Sequence, residues 1–307
     1  MSYQTLKSIP SIVPERPYVP TYLWKTTHRP KAIIHIVHGM SEHAQRYHKL
    51  AEYLTSQGYH VVAHDHLGHG PLAKENKRLG YFGSHEADKL MISDMHNVYE
   101  AIHYQFPTLP YFILSHSMGS YLTRIYLDRY SYEIDGVMMS GTNSFSRLIA
   151  LGSKLAPLLN HFNPKAYNYD IHRLIFQTGI NEAADDSNKL QKLWHEDTAP
   201  DLSEWPLTGF VFTNNGFAEL IKMVTKATRP GWLKNINRQM PIAVITGRND
   251  PLVNKGKETY RLAKEFQKHQ FASVTFYMFE NRGHEILLYG GVEPVFRYVS
   301  EWFDNQL

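Results

Sequence analysis

The 307-residue sequence has no cysteine, which excludes disulfides and any metal site built on thiolates. No window approaches ~18 consecutive apolar residues, so no segment is expected to span a bilayer. The opening residues, MSYQTLKSIPSIVPERPYVP, lack the apolar run of a secretory signal, and a soluble, cytoplasmic protein is expected. An excess of one charge sign is missing as well. Lys and Arg number 32 against 29 Asp and Glu, a net charge of +3 with no basic stripe or tail, so nucleic acid is not an expected partner. Internal repeats and low-complexity tracts are also lacking.

What the chain does have is apolar residues, 43% of the total, arranged in a strand–helix alternation. Five prolines between Pro10 and Pro30 keep the opening segment extended, which suits an arm or edge strands. "KAIIHIVH" (31–38) reads as a buried strand, followed by a helix with Tyr47, Leu50, Ala51 and Leu54 on one face and a stop at Gly58. "YHVVAH" (59–64) is the next strand, and 65–86 reads as a Gly-rich loop. Met91, Met95, Val98 and Ile102 mark a helix that must end before Pro107. "YFILS" (111–115), a helix from Met118 and "IDGVMMSG" (134–141) continue the pattern.

From about Asn143 to Asn237 the strand signals disappear, and the segment reads as several short helices carrying Leu155, Leu158, Leu159, Phe162, Phe210, Phe212 and Phe217. The strands return at "PIAVITG" (241–247) and "SVTFYMF" (273–279), with helices expected over roughly 255–269 and 292–304. The expected fold class is α/β. A mostly parallel central sheet flanked by helices is formed by 1–142 and 238–307, and 143–237 is a helical insertion.

Within this frame "SHSMG" (115–119) sits where a strand meets a helix. A minimal turn there lifts Ser117 above the sheet's carboxyl edge, and positions two before and two after it must be small. They are Ser115 and Gly119, close to the G-x-S-x-G nucleophile elbow, with serine at the first position in place of glycine. A plain strand-to-helix turn would show the same five residues. A serine hydroxyl needs a base, and the base an orienting acid. In this architecture the order is serine, acid, histidine, each past a strand's carboxyl end. Asp250, in "RNDPLV" after "PIAVITG", and His284, in "ENRGHEIL" after "SVTFYMF", hold those places.

His161, His172 and His195 fall in the insertion, His269 ends a helix, and Glu280 is too near His284 to be the orienting acid. For an oxyanion, the Met118 N–H at a helix N-terminus is one expected donor. The Met40 N–H, in the "HGMSEH" loop after the first buried strand, is the other.

With these residues placed, the chain resembles the α/β-hydrolases of the monoacylglycerol lipase and lysophospholipase group, which are grouped with the serine aminopeptidases. The resemblance is carried by "HGMSEHAQRYHKLAEYLTSQGYHVVAHDHLGHG" (38–70), "SHSMG" (115–119), "GRNDPLV" (247–253) and "GHEIL" (283–287). It implies an α/β-hydrolase fold and a Ser–His–Asp hydrolase with a helical cap, here 143–237, over a hydrophobic acyl channel. The catalytic residues it implies are Ser117, Asp250 and His284, with Met40 and Met118 as oxyanion donors. Glu42, His43, Arg46 and Tyr47 match the first block and are read as supports of the oxyanion loop.

"HDHLGH" (64–69) looks like a metal cluster, but Asp65 and the glycines at 68 and 70 fit the family's loop, and no partner cluster stands elsewhere. Neither a metal nor a cofactor is therefore expected. The expected substrate is a small-molecule acyl ester, such as a monoacylglycerol or lysophospholipid, with at most transient membrane contact through the cap. The acidic stretch Glu182, Asp185, Asp186, Glu196 and Asp197 reads as a solvated helix face. An aminopeptidase or amidase on the same scaffold would need carboxylates in the cap, and a pocket lined by Asp185, Asp186 or Glu196 would supply them. A non-catalytic binding protein of the same fold is the third reading.

Overall fold

The structure, a computed structural model, describes residues 3–13, 16–83, 86–144, 158–177, 207–289 and 291–307. Eight strands make one sheet among the described residues. They are β1 (Gln4–Leu6), β2 (Thr21–Trp24), β3 (Ala32–Val37), β4 (Tyr59–His64), β5 (Tyr111–His116), β6 (Gly136–Ser140), β7 (Ile242–Gly247) and β8 (Val274–Phe279). Their spatial order is β1-β2-β4-β3-β5-β6-β7-β8. The proline-rich opening supplies the antiparallel edge, β1 on β2 and β2 on β4. From β4 to β8 every pairing is parallel. This is the mostly parallel α/β sheet expected from the alternation.

Parallel strands need crossovers, and the helices supply them. They are α1 (His48–Ser56), α2 (Gly70–Glu75), α3 (Ala87–Gln105), α4 (Met118–Tyr130), α5 (Tyr169–Gln177), α6 (Asn214–Thr228), α7 (Lys257–Lys268) and α8 (Glu293–Asp304). The inner strands β3 to β7 are buried along their whole length because both faces are covered. In β5, Tyr111 and Ile113 face one apolar layer, while Phe112 and Leu114 face the other. The first layer holds Met91, Met95 and Val98 of α3, Leu122 and Tyr126 of α4, and Leu262 and Phe266 of α7. The second holds Leu50 and Leu54 of α1 and Val295, Val299 and Phe303 of α8.

Two local features differ from the sequence expectation. The 65–86 stretch contains α2, one and a half turns begun by Gly70 and Pro71, too short to show a helical apolar repeat. Helix α6, inside the 143–237 segment, buries Phe217, Leu220, Met223 and Val224 in the same layer as α3 and α4. Phe212 and Phe217 are likewise core residues, whereas Leu158 and Phe162 are exposed. Leu155, His195 and the acidic residues Glu182, Asp185, Asp186, Glu196 and Asp197 lie outside the described residues. Among the described residues no helix is long and apolar enough to cross a membrane.

Candidate active site

Parallel strands end on one edge of a sheet, so residues just past their carboxyl ends share that edge however far apart they lie in sequence. Val37 of β3 is in register with Ser115 of β5, and Gly247 of β7 with Phe279 of β8. The loops after these strands carry Gly39 and Met40, Ser117, Asp250 and His284.

Ser117 caps α4 with φ 48° and ψ −117°, a left-handed backbone that a non-glycine residue adopts only where its surroundings hold it. Its N–H donates to Ser140 O at 2.9 Å, and its carbonyl accepts from Ser120 N at 2.9 Å. The small flanking positions have a steric cause. A Cβ on Gly119 would run into the carbonyl oxygens of Val37 and His38. Ser115 is fully buried between β3 and β6, its hydroxyl 3.5 Å from Met138 O, a long contact for a hydrogen bond. Met118 follows as the first residue of α4, where the N–H has no intrahelical acceptor. The loop after β3 comes close, since a Cβ on Gly39 would lie 3.2 Å from Ser117 Cβ.

Asp250 and His284 are both buried, and Asp250 Oδ2 lies 2.7 Å from His284 Nδ1. The other carboxylate oxygen accepts from Leu252 N at 2.9 Å, so the side chain is held at both ends. Burial alone would lower the imidazole's pKa. The charge and hydrogen bond of Asp250, with Glu285 and Glu42 behind, outweigh burial and raise it above its ordinary value. The His284 ring packs on His116, the residue before Ser117, with centroids 4.8 Å apart. Behind it, Gly141 leaves no room for a side chain, since a Cβ there would come within 2.7 Å of His284 Cε1.

A charged network ties the loop after β3 to the loop carrying His284. Gly39 N donates to Glu42 Oε1, which also accepts from Tyr47 OH at 2.9 Å. Arg46 Nη1 bridges Glu42 Oε2 and Glu285 Oε1 at 2.8 Å each, and Nη2 reaches Tyr289 OH at 2.5 Å. Desolvation raises the Glu42 pKa against the pull of Arg46, and Glu285 adds to the rise. On the far side of the same loop, Ser41 donates to Phe210 O at 2.7 Å and accepts at its carbonyl from Gly209 N at 2.8 Å. The 143–237 segment therefore touches the residue after Met40.

The histidines of "HDHLGH" are each engaged elsewhere. His64 Nδ1 lies 2.8 Å from His35 Nε2, and His66 Nε2 lies 3.1 Å from His38 O. His69 Nε2 accepts from Ser41 N at 3.3 Å. Burial holds all three well below the ordinary histidine pKa, at about 3 for His69. Asp65 accepts from Ala44 N at 2.9 Å and from Tyr22 OH at 3.0 Å, supporting the loop after β3. Among the competitors, Glu280 is exposed and pairs with Arg248 at 2.5 Å, and His269 caps α7.

Of the expected residues, then, the structure brings Asp250 and His284 into contact and sets Gly39, the residue before Met40, beside Ser117. Sequence reading missed Glu285 and Tyr289 as partners of Arg46, although for Glu285 the adjacency to His284 was a usable signal.

The chain is similar to several known proteins. Over 103 residues the chain is 39% identical to the Monoglyceride lipase homolog of Monkeypox virus, and over 103 residues 36% identical to the Monoglyceride lipase of Homo sapiens. These matches cover 34% and 31% of this chain, and only 35% and 30% of those proteins, about a third of their length. Among solved structures, a carboxyl esterase from Bacillus coagulans in complex with glycerol superposes with a TM-score of 0.86 at 22% identity, over 99% of both chains. A soluble variant of Monoglyceride lipase from Saccharomyces cerevisiae gives 0.73 at 17% identity, covering 100% of this chain and 94% of that one. At these identities the structural likeness is one of fold, the α/β-hydrolase fold. A family profile described as Serine aminopeptidase, S33, matches residues 28–288, well over half the chain, and by that match the chain belongs to the serine aminopeptidase, S33, family.

Proposed function

We propose that the protein is a serine hydrolase that cleaves carboxylic esters of acyl chains, a monoacylglycerol or lysophospholipid being the substrate class that fits best. The observation that carries the reading is the buried Asp250–His284 pair at the same sheet edge as a left-handed Ser117. Asp250 occupies Nδ1, which fixes the tautomer and leaves Nε2 as the ring nitrogen for proton transfer. In this reading Ser117 Oγ attacks the ester carbonyl while His284 takes its proton. The developing oxyanion is held by the Met40 and Met118 amides, the latter helped by the α4 dipole. His284 then protonates the leaving alcohol, activates water against the acyl-enzyme, and returns Ser117 to its starting state. The raised imidazole pKa favours the positive form that appears midway.

We place the acyl chain under a cap formed by 143–237, whose return stretch meets the loop carrying Met40 through Gly209 and Phe210. The names of the Homo sapiens and Monkeypox virus relatives support an ester substrate. The family description keeps an aminopeptidase or amidase as the second reading.

One experiment separates these. The purified protein is treated with a fluorophosphonate probe, with Ser117→Ala as control, and assayed on medium- and long-chain monoacylglycerols beside aminoacyl amides. Labelling confined to the Ser117-bearing protein with ester turnover is expected. Amide turnover without ester turnover selects the second reading, and an unlabelled native protein removes both in favour of a binding protein.

A further inference from the structure

Arg124, two turns into α4 from Ser117, is buried to 1% exposure, and among the described residues no carboxylate forms an ion pair with it, the Glu265 charge acting on it only from farther away. Among the described residues its Nε and Nη1 have no hydrogen-bond partner. Only Nη2 is used, donating to Thr142 Oγ1 and, at 2.8 Å, to Asn143 O. The rings of Tyr121 and Trp232 lie 5.3 and 5.2 Å from the guanidinium carbon. Desolvation lowers its pKa to about 10. A buried, half-satisfied cation is costly, and a leucine or methionine would pack the same space without that cost. Folding alone does not ask for an arginine here.

What the guanidinium holds is the point where the chain leaves β6 for the 143–237 segment. Ser120 Oγ lies 2.6 Å from both Ser117 O and Thr142 Oγ1. A hydroxyl has one hydrogen. With Ser120 donating to the carbonyl, the Thr142 hydroxyl supplies the hydrogen of the second contact. Arg124, Thr142, Ser120 and the Ser117 carbonyl thus form one chain of donors and acceptors. Thr142 O accepts from Thr259 Oγ1 at 2.7 Å, and Asn143 Oδ1 from Tyr121 OH at 2.8 Å. The residue before Thr142 is Gly141, which has φ 59° and packs on the His284 imidazole. A shift of this turn would therefore move the wall behind the base and the support of the nucleophile together.

We propose that Arg124 is a positioning residue, whose hydrogen bonds to Thr142 and Asn143 lock the turn after β6 between the nucleophile helix and the His284 imidazole. The proposal rests on the hydrolase reading and concerns the same site. It explains why a cation without an ion-paired carboxylate among the described residues is kept in the core, since misplacing reacting groups by about an ångström is expensive in rate while leaving the fold intact.

The test uses the full chain and two readouts, melting temperature and kcat against KM on a chromogenic acyl ester. Arg124→Met is expected to melt at or above the native temperature while kcat falls about tenfold and KM stays within about threefold. Unchanged kcat, or a kcat loss matched by a lower melting temperature, overturns the proposal. If Arg124→Met does not fold, the pair Thr142→Val and Thr142→Ser decides. The valine variant should lose kcat by a similar factor and the serine variant should keep it. A fully active Thr142→Val, or an equally impaired Thr142→Ser, overturns the proposal. Fluorophosphonate labelling that persists in Ser117→Ala would instead remove the underlying hydrolase reading, a separate result.

Discussion

Arg46 and Arg124 are both buried beside the candidate site, and their surroundings are opposite. Arg46 Nη1 meets two carboxylates, Glu42 and Glu285, at 2.8 Å each, and a phenol closes its other side. Arg124 meets a hydroxyl and a carbonyl, with aromatic rings in place of counter-ions. The first cation is a tie between loops after β3 and β8, strands separated in the sheet by β5, β6 and β7. It compensates charges that would otherwise repel in a desolvated place. The second forms no ion pair among the described residues, feels only the more distant Glu265 charge, and instead fixes a turn. A buried charge can therefore serve stability at one edge of a site and geometry at the other, and only its partners tell which.

Removing the first arginine should have the larger effect on the fold. Arg46→Met leaves the buried Glu42 without its cation and near the partly buried Glu285, so urea or thermal unfolding should report a loss of ~3–5 kcal/mol. If Arg46→Met and Arg124→Met destabilise equally, the contrast between the two cations is wrong. A milder change sharpens it. Glu285→Gln keeps the shape but removes one of the charges that raise the His284 pKa. The imidazole should then lose its proton more easily, and the acid limb of kcat/KM should move to lower pH by up to about one unit. A limb that stays in place would reduce Glu285 to a structural ligand of Arg46.

The frame of the molecule was legible because its inner strands, β3 to β7, are buried on both faces. "YHVVAH" is β4 residue for residue, and "KAIIHIVH" and "PIAVITG" overrun their strands by a residue or two. Ser115 and Gly119 could be read as small because the turn geometry demands it, and the observed contacts with Val37 and His38 are of that kind. What could not be read was which buried face meets which. The apolar repeat of α6 says that one side is covered, but not that the cover is α3 and α4 of the core layer. Arg124 was illegible for a related reason. In "SMGSYLTRIYLDRY" an arginine reads by default as a solvated helix position, and only the three-dimensional neighbours Thr142 and Trp232 reveal a buried cation. Glu285 and Tyr289 follow His284 closely, yet nothing in the local spacing points across three strands to Arg46.

The most direct measurement on the central claim is the pH dependence of the rate at which a fluorophosphonate labels Ser117, in the native chain and in Asp250→Asn. Asp250 raises the pKa of His284 against its burial, so labelling should rise with pH through a midpoint above the ordinary value of 6.5. With asparagine at 250 that support is lost, so the midpoint should fall and the rate should drop by roughly 10⁴-fold. Labelling at another residue, or a rate in Asp250→Asn equal to the native one, would contradict a relay joining Asp250, His284 and Ser117.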